Sequence, residues 1–284
     1  EDDEMGRLTL AVNEMVRHLR IILEDERSVR ENLEKSRTEL QQANLKLKEL
    51  DQMKSEFLNT VSHELRTPLT SIKAFAEILL DNEGEDKETQ IEFLGIINKE
   101  SDRLTRLINN LLDLSRIEAG RMNWHFADTD VNLLVQNACD TLALSADKKG
   151  VHLQMEMATQ KASIYADEDK MTQVLTNLVG NALKFTPTGG QIFVSTQVTA
   201  STVKIAIRDT GMGIAPEHHQ TIFEKFGQVD TSETREIKGS GLGLPIARSI
   251  VEAHKGTLTV SSDLGQGATF TVEMPLQEGS VEEK

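Results

Sequence analysis

Phe57-Leu58-Asn59-Thr60-Val61-Ser62-His63-Glu64-Leu65-Arg66-Thr67-Pro68-Leu69-Thr70-Ser71-Ile72 is the stretch around which this chain is organised. A heptad pattern runs straight into it. Counted in steps of three and four from Leu8, the pattern passes Val12, Met15, Leu19, Ile22, Glu26, Val29, Leu33, Ser36, Leu40, Ala43, Leu47, Leu50, Lys54 and Phe57 to Val61. Only Glu26, Ser36 and Lys54 are polar, so the period of about 3.5 residues that marks a coiled-coil seam holds throughout. Polar residues on a seam cost stability and can set register. His63 falls two places past Val61, off the seam and towards solvent. Glu64 adjoins it, and Thr67 follows at the i+4 spacing that puts two side chains on one helix face. Pro68 lacks the amide that would bond the Glu64 carbonyl, which predicts a bend there.

Ser62-His63-Glu64-Leu65-Arg66-Thr67-Pro68-Leu69 resembles the phosphoacceptor box of the sensor histidine kinases of two-component systems. The resemblance implies a dimeric helical hairpin carrying a phosphorylated His63, followed by an ATP-binding domain. It makes Glu64 the group that hydrogen-bonds or deprotonates the second ring nitrogen. It also suits the Thr67 hydroxyl, four residues after His63, to orienting a water for attack on a phospho-Asp.

The composition fits that frame. The 284 residues suggest about two domains, and 38% hydrophobic content suits soluble globular and coiled-coil protein. A net charge of −15 argues against nucleic acid or an anionic membrane as direct partner. The single Cys139 excludes an intramolecular disulfide. No apolar run approaches the ~18–20 residues of a membrane span, and no signal peptide is evident. The expectation is a cytoplasmic portion of a membrane-anchored sensor.

Residues 1–20 resemble the second helix of a HAMP relay module through Asp3-Glu4-Met5-Gly6-Arg7-Leu8, and 21–50 continue as a charged coiled coil. Residues 51–121 form the hairpin: a polar turn spans 81–86, and a second helix over about 88–118 turns Leu94, Ile97, Leu104, Leu107, Ile108, Leu111 and Leu114 inward. Two such helices offer too little core alone, so two copies should make a four-helix bundle. Residues 122–128 read as a linker in which Trp124 and Phe126 pack at the domain junction. From 129 to 276 strands and helices alternate as in an α/β sandwich, and 277–284 form a tail.

Three segments of that sandwich carry nucleotide chemistry. Gln173, Asn177, Asn181 and Lys184 share one helix stripe, where two carboxamide oxygens can meet Mg²⁺ and an ammonium can meet phosphates. Asp209-Thr210-Gly211-Met212-Gly213 follows an alternating strand; an ionised Asp209 can accept from the exocyclic amine of adenine, and glycines let backbone approach the base. Gly239-Ser240-Gly241-Leu242-Gly243 opens a helix and offers amides to phosphates. Its GxGxG spacing and charged lead-in do not fit a dinucleotide fold. His218-His219 reads as surface.

Together with Phe223 and Phe226, these segments resemble the asparagine, glycine and phenylalanine boxes of the GHKL ATP-binding fold, in family order. The resemblance places Asn177, Asn181, Lys184, Phe185, Asp209, Gly211, Gly213, Gly239, Gly241, Leu242 and Gly243 at ATP, with Asn177 and Asn181 at Mg²⁺. Gln228 departs from the pattern, because many family members carry an Arg there; Lys225, Arg235 or Lys238 would have to supply the charge. The implied function is autophosphorylation of His63 from ATP, transfer to an Asp on a response regulator's receiver domain, and phosphatase action on that regulator. A GHKL ATPase that uses nucleotide as a conformational clamp is the alternative.

Overall fold

A computed structural model describes residues 2–81, 86–160, 162–227 and 241–276. The chain divides into two compact units, 1–60 and 61–284. In the first, a single helix presents its seam to solvent: Val12, Met15, Leu19, Ile22, Val29, Leu33, Leu40 and Leu47 are all exposed. This helix, α1 (Asp2–Asp81), continues into the second unit and is unbroken through Pro68.

Within the second unit, α1 is answered by α2 (Lys87–Glu118). Asp86 caps α2, its carboxylate accepting from the amides of Glu88 and Thr89 at 2.9 Å each. The Thr89 amide first, then the Thr89 hydroxyl and least the Glu88 amide, hold the Asp86 carboxyl below its ordinary pKa. Phe75 and Phe93 join the two helices, ring centroids 5.2 Å apart. Leu107, Leu114 and Pro68 are buried. Leu94 and Ile108, expected inward, are 56% and 44% exposed in the single chain. One hairpin has too few opposing side chains to cover both.

The rest is a layered α/β sandwich. β1 (Phe126–Asp130) pairs antiparallel with β3 (Ser163–Asp167), Phe126 opposite Asp167. A five-stranded sheet runs in the order β2 (His152–Glu156), β4 (Gln191–Val198), β5 (Thr202–Asp209), β7 (Ala268–Pro275), β6 (Thr257–Ser262). Only β2 and β4 are parallel; every other neighbouring pair is antiparallel. Three helices, α3 (Val131–Lys149), α4 (Glu168–Phe185) and α5 (Gly243–Ala253), pack in succession over this sheet. The alternation of Ile192 and Val194, then Val203, Ile205 and Ile207, sends one strand face into the core with the helices' Leu134, Leu175, Leu178 and Ile250. Cys139 is part of that core, and burial followed by the neighbouring Asp140 pushes its thiol up to about 11.

The strand β1 corrects the sequence reading. Residues 126–128, expected as linker, are already paired with β3. The pattern was hidden because Asp128 and Asp130 are polar and the alternation spans only five residues, whereas the buried Thr129 is what the sandwich holds.

Candidate functional site

The candidate nucleotide site forms where α4, the end of β5 and the start of α5 meet. Asp167 caps α4 by accepting from the Lys170 amide at 3.1 Å. The apolar stripe of α4, Met171, Val174, Leu175, Leu178 and Ala182, is buried. Its 100°-per-residue geometry then leaves Asn177, Asn181 and Lys184 half-buried on the adjoining stripe. Lys184 Nζ lies 4.9 Å from the centroid of the Phe185 ring. Burial presses the Lys184 ammonium below its ordinary pKa, and the Arg103 guanidinium adds to this.

Asp209 ends β5 and is 5% exposed. Both of its hydrogen bonds go to one oxygen: Oδ1 accepts from the Gly211 amide at 2.8 Å and the Ala268 amide at 3.3 Å. Burial pushes the carboxyl above its ordinary pKa, while those two amides pull the other way. Gly211 sits between the end of α4 and the Asp209 carboxylate. A Cβ there would meet the Phe185 carbonyl oxygen at 2.6 Å and Asp209 Oδ1 at 2.8 Å. Gly213 has φ +70, and a Cβ would sit 2.0 Å from the Asp263 carbonyl oxygen.

The glycine segment before α5 closes the ring. A Cβ on Gly243 would lie 2.5 Å from Asn177 Oδ1, so the first turn of α5 rests on the amide of the asparagine stripe. Gly241, at φ +64, passes against the Phe226 backbone, whose amide donates to the Gly241 carbonyl at 2.9 Å. Leu242 is fully buried. Phe223 sits edge-on to Phe270 at 6.4 Å and under Arg248 at 5.4 Å, anchoring this side of the site. Gly239, and likewise Gln228, Arg235 and Lys238, lie outside the described residues. Lys225 forms an ion pair with Glu118 of α2.

The structure thus brings Asn177, Asn181, Lys184, Phe185, Asp209, Gly211, Gly213, Gly241, Leu242 and Gly243 to one region of the sandwich. Gln173, on the same stripe, is turned elsewhere. Its amide donates to Asp113 of α2 at 3.1 Å, and Lys170 donates to the same carboxylate oxygen at 2.9 Å. His219 Nε2 is 3.3 Å from the Ile214 carbonyl oxygen, and both His218 and His219 are half-buried rather than fully on the surface. Among the described residues no cluster of three or more His, Cys, Asp or Glu could hold a metal.

On the hairpin, His63 is exposed on α1. The Thr67 hydroxyl donates to the His63 carbonyl at 3.2 Å, which fixes it beside the imidazole's own residue. Glu64 is half-buried and faces α2, where Arg103 lies 3.5 Å away.

Sequence reasoning missed the junction that roots the site. His254, one residue past α5, is 4% exposed. Its Nε2 accepts from the Asp167 amide at 2.9 Å, and its Nδ1 faces the Ile250 carbonyl at 2.7 Å. Trp124 packs edge-on against its ring at 5.2 Å, and Phe126 lies tilted to it at 4.7 Å. The aromatic pair was legible as packing; the histidine was not, because nothing local distinguishes it.

A mixed sandwich that gathers an asparagine stripe and glycine turns at one end, preceded by a helical hairpin with an exposed histidine, defines a class. Residues 166–278 match the family of histidine kinase-, DNA gyrase B- and HSP90-like ATPases, and residues 53–120 match the His Kinase A phospho-acceptor domain. The chain is 38% identical over 229 residues to the sensor protein SrrB of Staphylococcus aureus, covering 81% of this chain and 39% of that protein. Its fold matches full-length ShkA solved in complex with AMPPNP (TM-score 0.60, 31% identity, 81% of this chain and 47% of that one). It also matches the histidine kinase ThkA solved with the response regulator TrrA (TM-score 0.60, 25% identity, 78% and 61%). The chain belongs to the sensor histidine kinases of two-component systems. It spans about two fifths of the length of the curated relatives it matches. No helix among the described residues is long and apolar enough to cross a membrane.

Proposed function

We propose that this chain transfers the γ-phosphoryl group of ATP to His63 and passes it on to an Asp of a response regulator's receiver domain. The observation that carries this reading is the contact of Gly243 with Asn177, which joins the glycine segment to the asparagine stripe so closely that a Cβ would not fit. In this reading Asp209 accepts from the adenine amine through Oδ2, the oxygen that its two backbone bonds leave aside. Gly211 and Gly213 admit the base, Phe185 and Lys184 flank the nucleotide, and the amides of Gly239, Gly241, Leu242 and Gly243 take the phosphates with the α5 dipole behind them. Asn177 and Asn181 would hold Mg²⁺, which would supply positive charge to offset that of the phosphates.

Neutral imidazole is already nucleophilic near pH 7, so Glu64 need act only as a modest base on the second ring nitrogen. The exposure of His63 suits both an incoming nucleotide and a receiver domain. The ThkA–TrrA complex supports the second partner by similarity. Thr67, held beside His63, would orient water during dephosphorylation of the regulator. Two chains would pair through the exposed seam of α1 and the hairpin, as Leu94 and Ile108 require a covering surface. The whole protein is proposed to be a membrane-anchored sensor of which this is the cytoplasmic part, with a HAMP-like relay at 1–20.

His63→Gln should leave binding of a fluorescent ATP analogue unchanged and abolish labelling by ATP carrying a radioactive γ-phosphate. Acid-labile label remaining on the variant would refute His63 as acceptor. Acid-stable label, or ATP turnover with no covalent product, would favour the ATPase clamp.

A further inference from the structure

Between the two hairpin helices a charged cluster is built around Arg103. Its Nη2 is 3.5 Å from Glu64 Oε2 of α1, and its Nη1 is 3.6 Å from Glu100 Oε2, one turn back on α2. The side chains are 32%, 18% and 19% exposed for Arg103, Glu64 and Glu100. Ion pairs of long, fully exposed side chains contribute little. This cluster differs, because two half-buried carboxylates share one guanidinium, and removing it would leave them facing each other without that counter-charge.

The placement bears on the acceptor. Adjacent residues on a helix diverge by about 100° and do not face each other, so sequence adjacency alone does not bring the Glu64 carboxylate to the imidazole of His63. What sets its position is its partner. His63 is turned to solvent, while Glu64 is drawn towards α2 by Arg103. We propose that Arg103 is a positioning residue for phosphoryl transfer to His63, acting through Glu64. It fixes the orientation of the carboxylate next in sequence to the acceptor and offsets the charge that arrives there.

The proposal rests on the reading of His63 as acceptor and Glu64 as the group serving its second nitrogen. In that reaction one imidazole nitrogen forms the N–P bond as the bond from γ-phosphorus to the bridging oxygen of ADP breaks. The proton on the other nitrogen goes to, or is held by, Glu64. The γ-phosphate therefore approaches a residue flanked by a carboxylate, and like charges so placed repel unless a cation lies with them. Arg103, paired with Glu64 and Glu100, is that cation. It is also an electrostatic neighbour of Lys184, adding to the effect of burial on that ammonium.

The test is a double-mutant cycle on the dimeric chain, following labelling from γ-labelled ATP as a function of ATP concentration. Glu64→Gln, Arg103→Met and the pair are compared, with Arg103→Lys as the conservative variant. Arg103→Met should lower kcat about tenfold while KM for ATP stays within about twofold. In the Glu64→Gln background the same change should cost less than about twofold, because the group it positions is gone. Arg103→Lys should fall between, since one ammonium can satisfy one carboxylate at a time. An equal fall in both backgrounds, an increase in rate, or a wild-type rate in Arg103→Met with Glu64→Gln slow would overturn the role of Arg103 alone. A wild-type rate in Glu64→Gln would instead remove Glu64 from the reaction, and the proposal with it. Analogue binding and far-UV dichroism, unchanged in all four variants, keep a misfolded hairpin from being read as lost positioning.

Discussion

The first 60 residues and the sandwich hold their apolar residues in opposite ways. Leu33, Leu40 and Leu47 are 68%, 68% and 66% exposed, whereas Leu178, Ile164, Ile192 and Ile205 are 0% exposed. The same residue type is therefore unfinished in one region and complete in the other. A seam of period 3.5 can be satisfied only by another helix. The sandwich buries its strands and helices against one another and needs no second copy for its core. The difference teaches where each region keeps its information: along the chain in the helix, and in contacts between distant segments at the nucleotide site.

If that division is right, each region should be breakable while the other survives. The largest effect is expected from Leu107→Asp with Leu111→Asp, which puts charges at and beside a buried position of the hairpin, at a cost of several kcal/mol. Sedimentation at micromolar concentration should show a monomer in place of a dimer, while the sandwich keeps its thermal transition and its affinity for an ATP analogue. Loss of both would show that the sandwich depends on the dimer.

Gly267→Ala is the converse. Its φ is +77 and a Cβ would sit 2.0 Å from the Asp209 carbonyl oxygen, so the backbone itself must move. A destabilisation of about 2–4 kcal/mol is expected, with weakened nucleotide binding and an intact dimer. Unfolding followed by dichroism, together with sedimentation of the same sample, checks it. An unmoved transition would show that the loop around Asp209 gives way more readily than its packing implies.

A smaller effect separates two activities on one helix. Thr67 already donates to the His63 carbonyl, and its oxygen can still accept from a water. Thr67→Ala should leave labelling of His63 within a few fold and slow dephosphorylation of the cognate regulator about tenfold, equivalent to ~1.4 kcal/mol. A parallel fall in both rates would reduce Thr67 to a local support of the helix near Pro68.

The smallest effect concerns the junction. His254 is neutral in its site: Nε2 accepts from the Asp167 amide and Nδ1 serves the Ile250 carbonyl. Burial lowers its pKa below the ordinary 6.5; the Ile250 hydrogen bond and the Asp167 charge only partly oppose that. A depressed histidine contributes stability that is present above 6.5 and is lost as pH falls through the lower folded value, because the unfolded chain takes the proton first. The other titratable group nearby is His125, whose Nδ1 lies 4.0 Å from Asp167 Oδ2. The melting temperature of the sandwich should therefore drop between about pH 7 and about pH 5, and drop less in His254→Gln. Equal pH dependence in the two proteins would remove His254 as the cause.

How much of this was legible follows the same division. The seam, the His63 box, the strands of the sheet and the stripe of α4 are periodic or local, and the fold class could be read from them. Asp209 with Gly211 and Gly213 could be read from spacing because the turn is made within five residues. The seating of Gly243 on Asn177 could not, since it joins segments 66 residues apart through the fold. Arg103 was hidden for another reason: a lone cation on a charged helix reads as solvated, and only the packing of α1 on α2 sets it between Glu64 and Glu100. Leu94 and Ile108 show the limit of periodicity, which identifies an apolar face without telling whether its cover comes from the same chain.

The central claim is that phosphate from ATP comes to rest on His63. The most direct measurement is mass spectrometry of the chain after brief incubation with ATP and Mg²⁺, digested and separated at neutral to alkaline pH, where phosphohistidine survives. A single phosphoryl group on the peptide 55–66, at His63 and lost on mild acid treatment, is the predicted result. Phosphate at any other residue, or a chain that consumes ATP and stays unmodified, would contradict it.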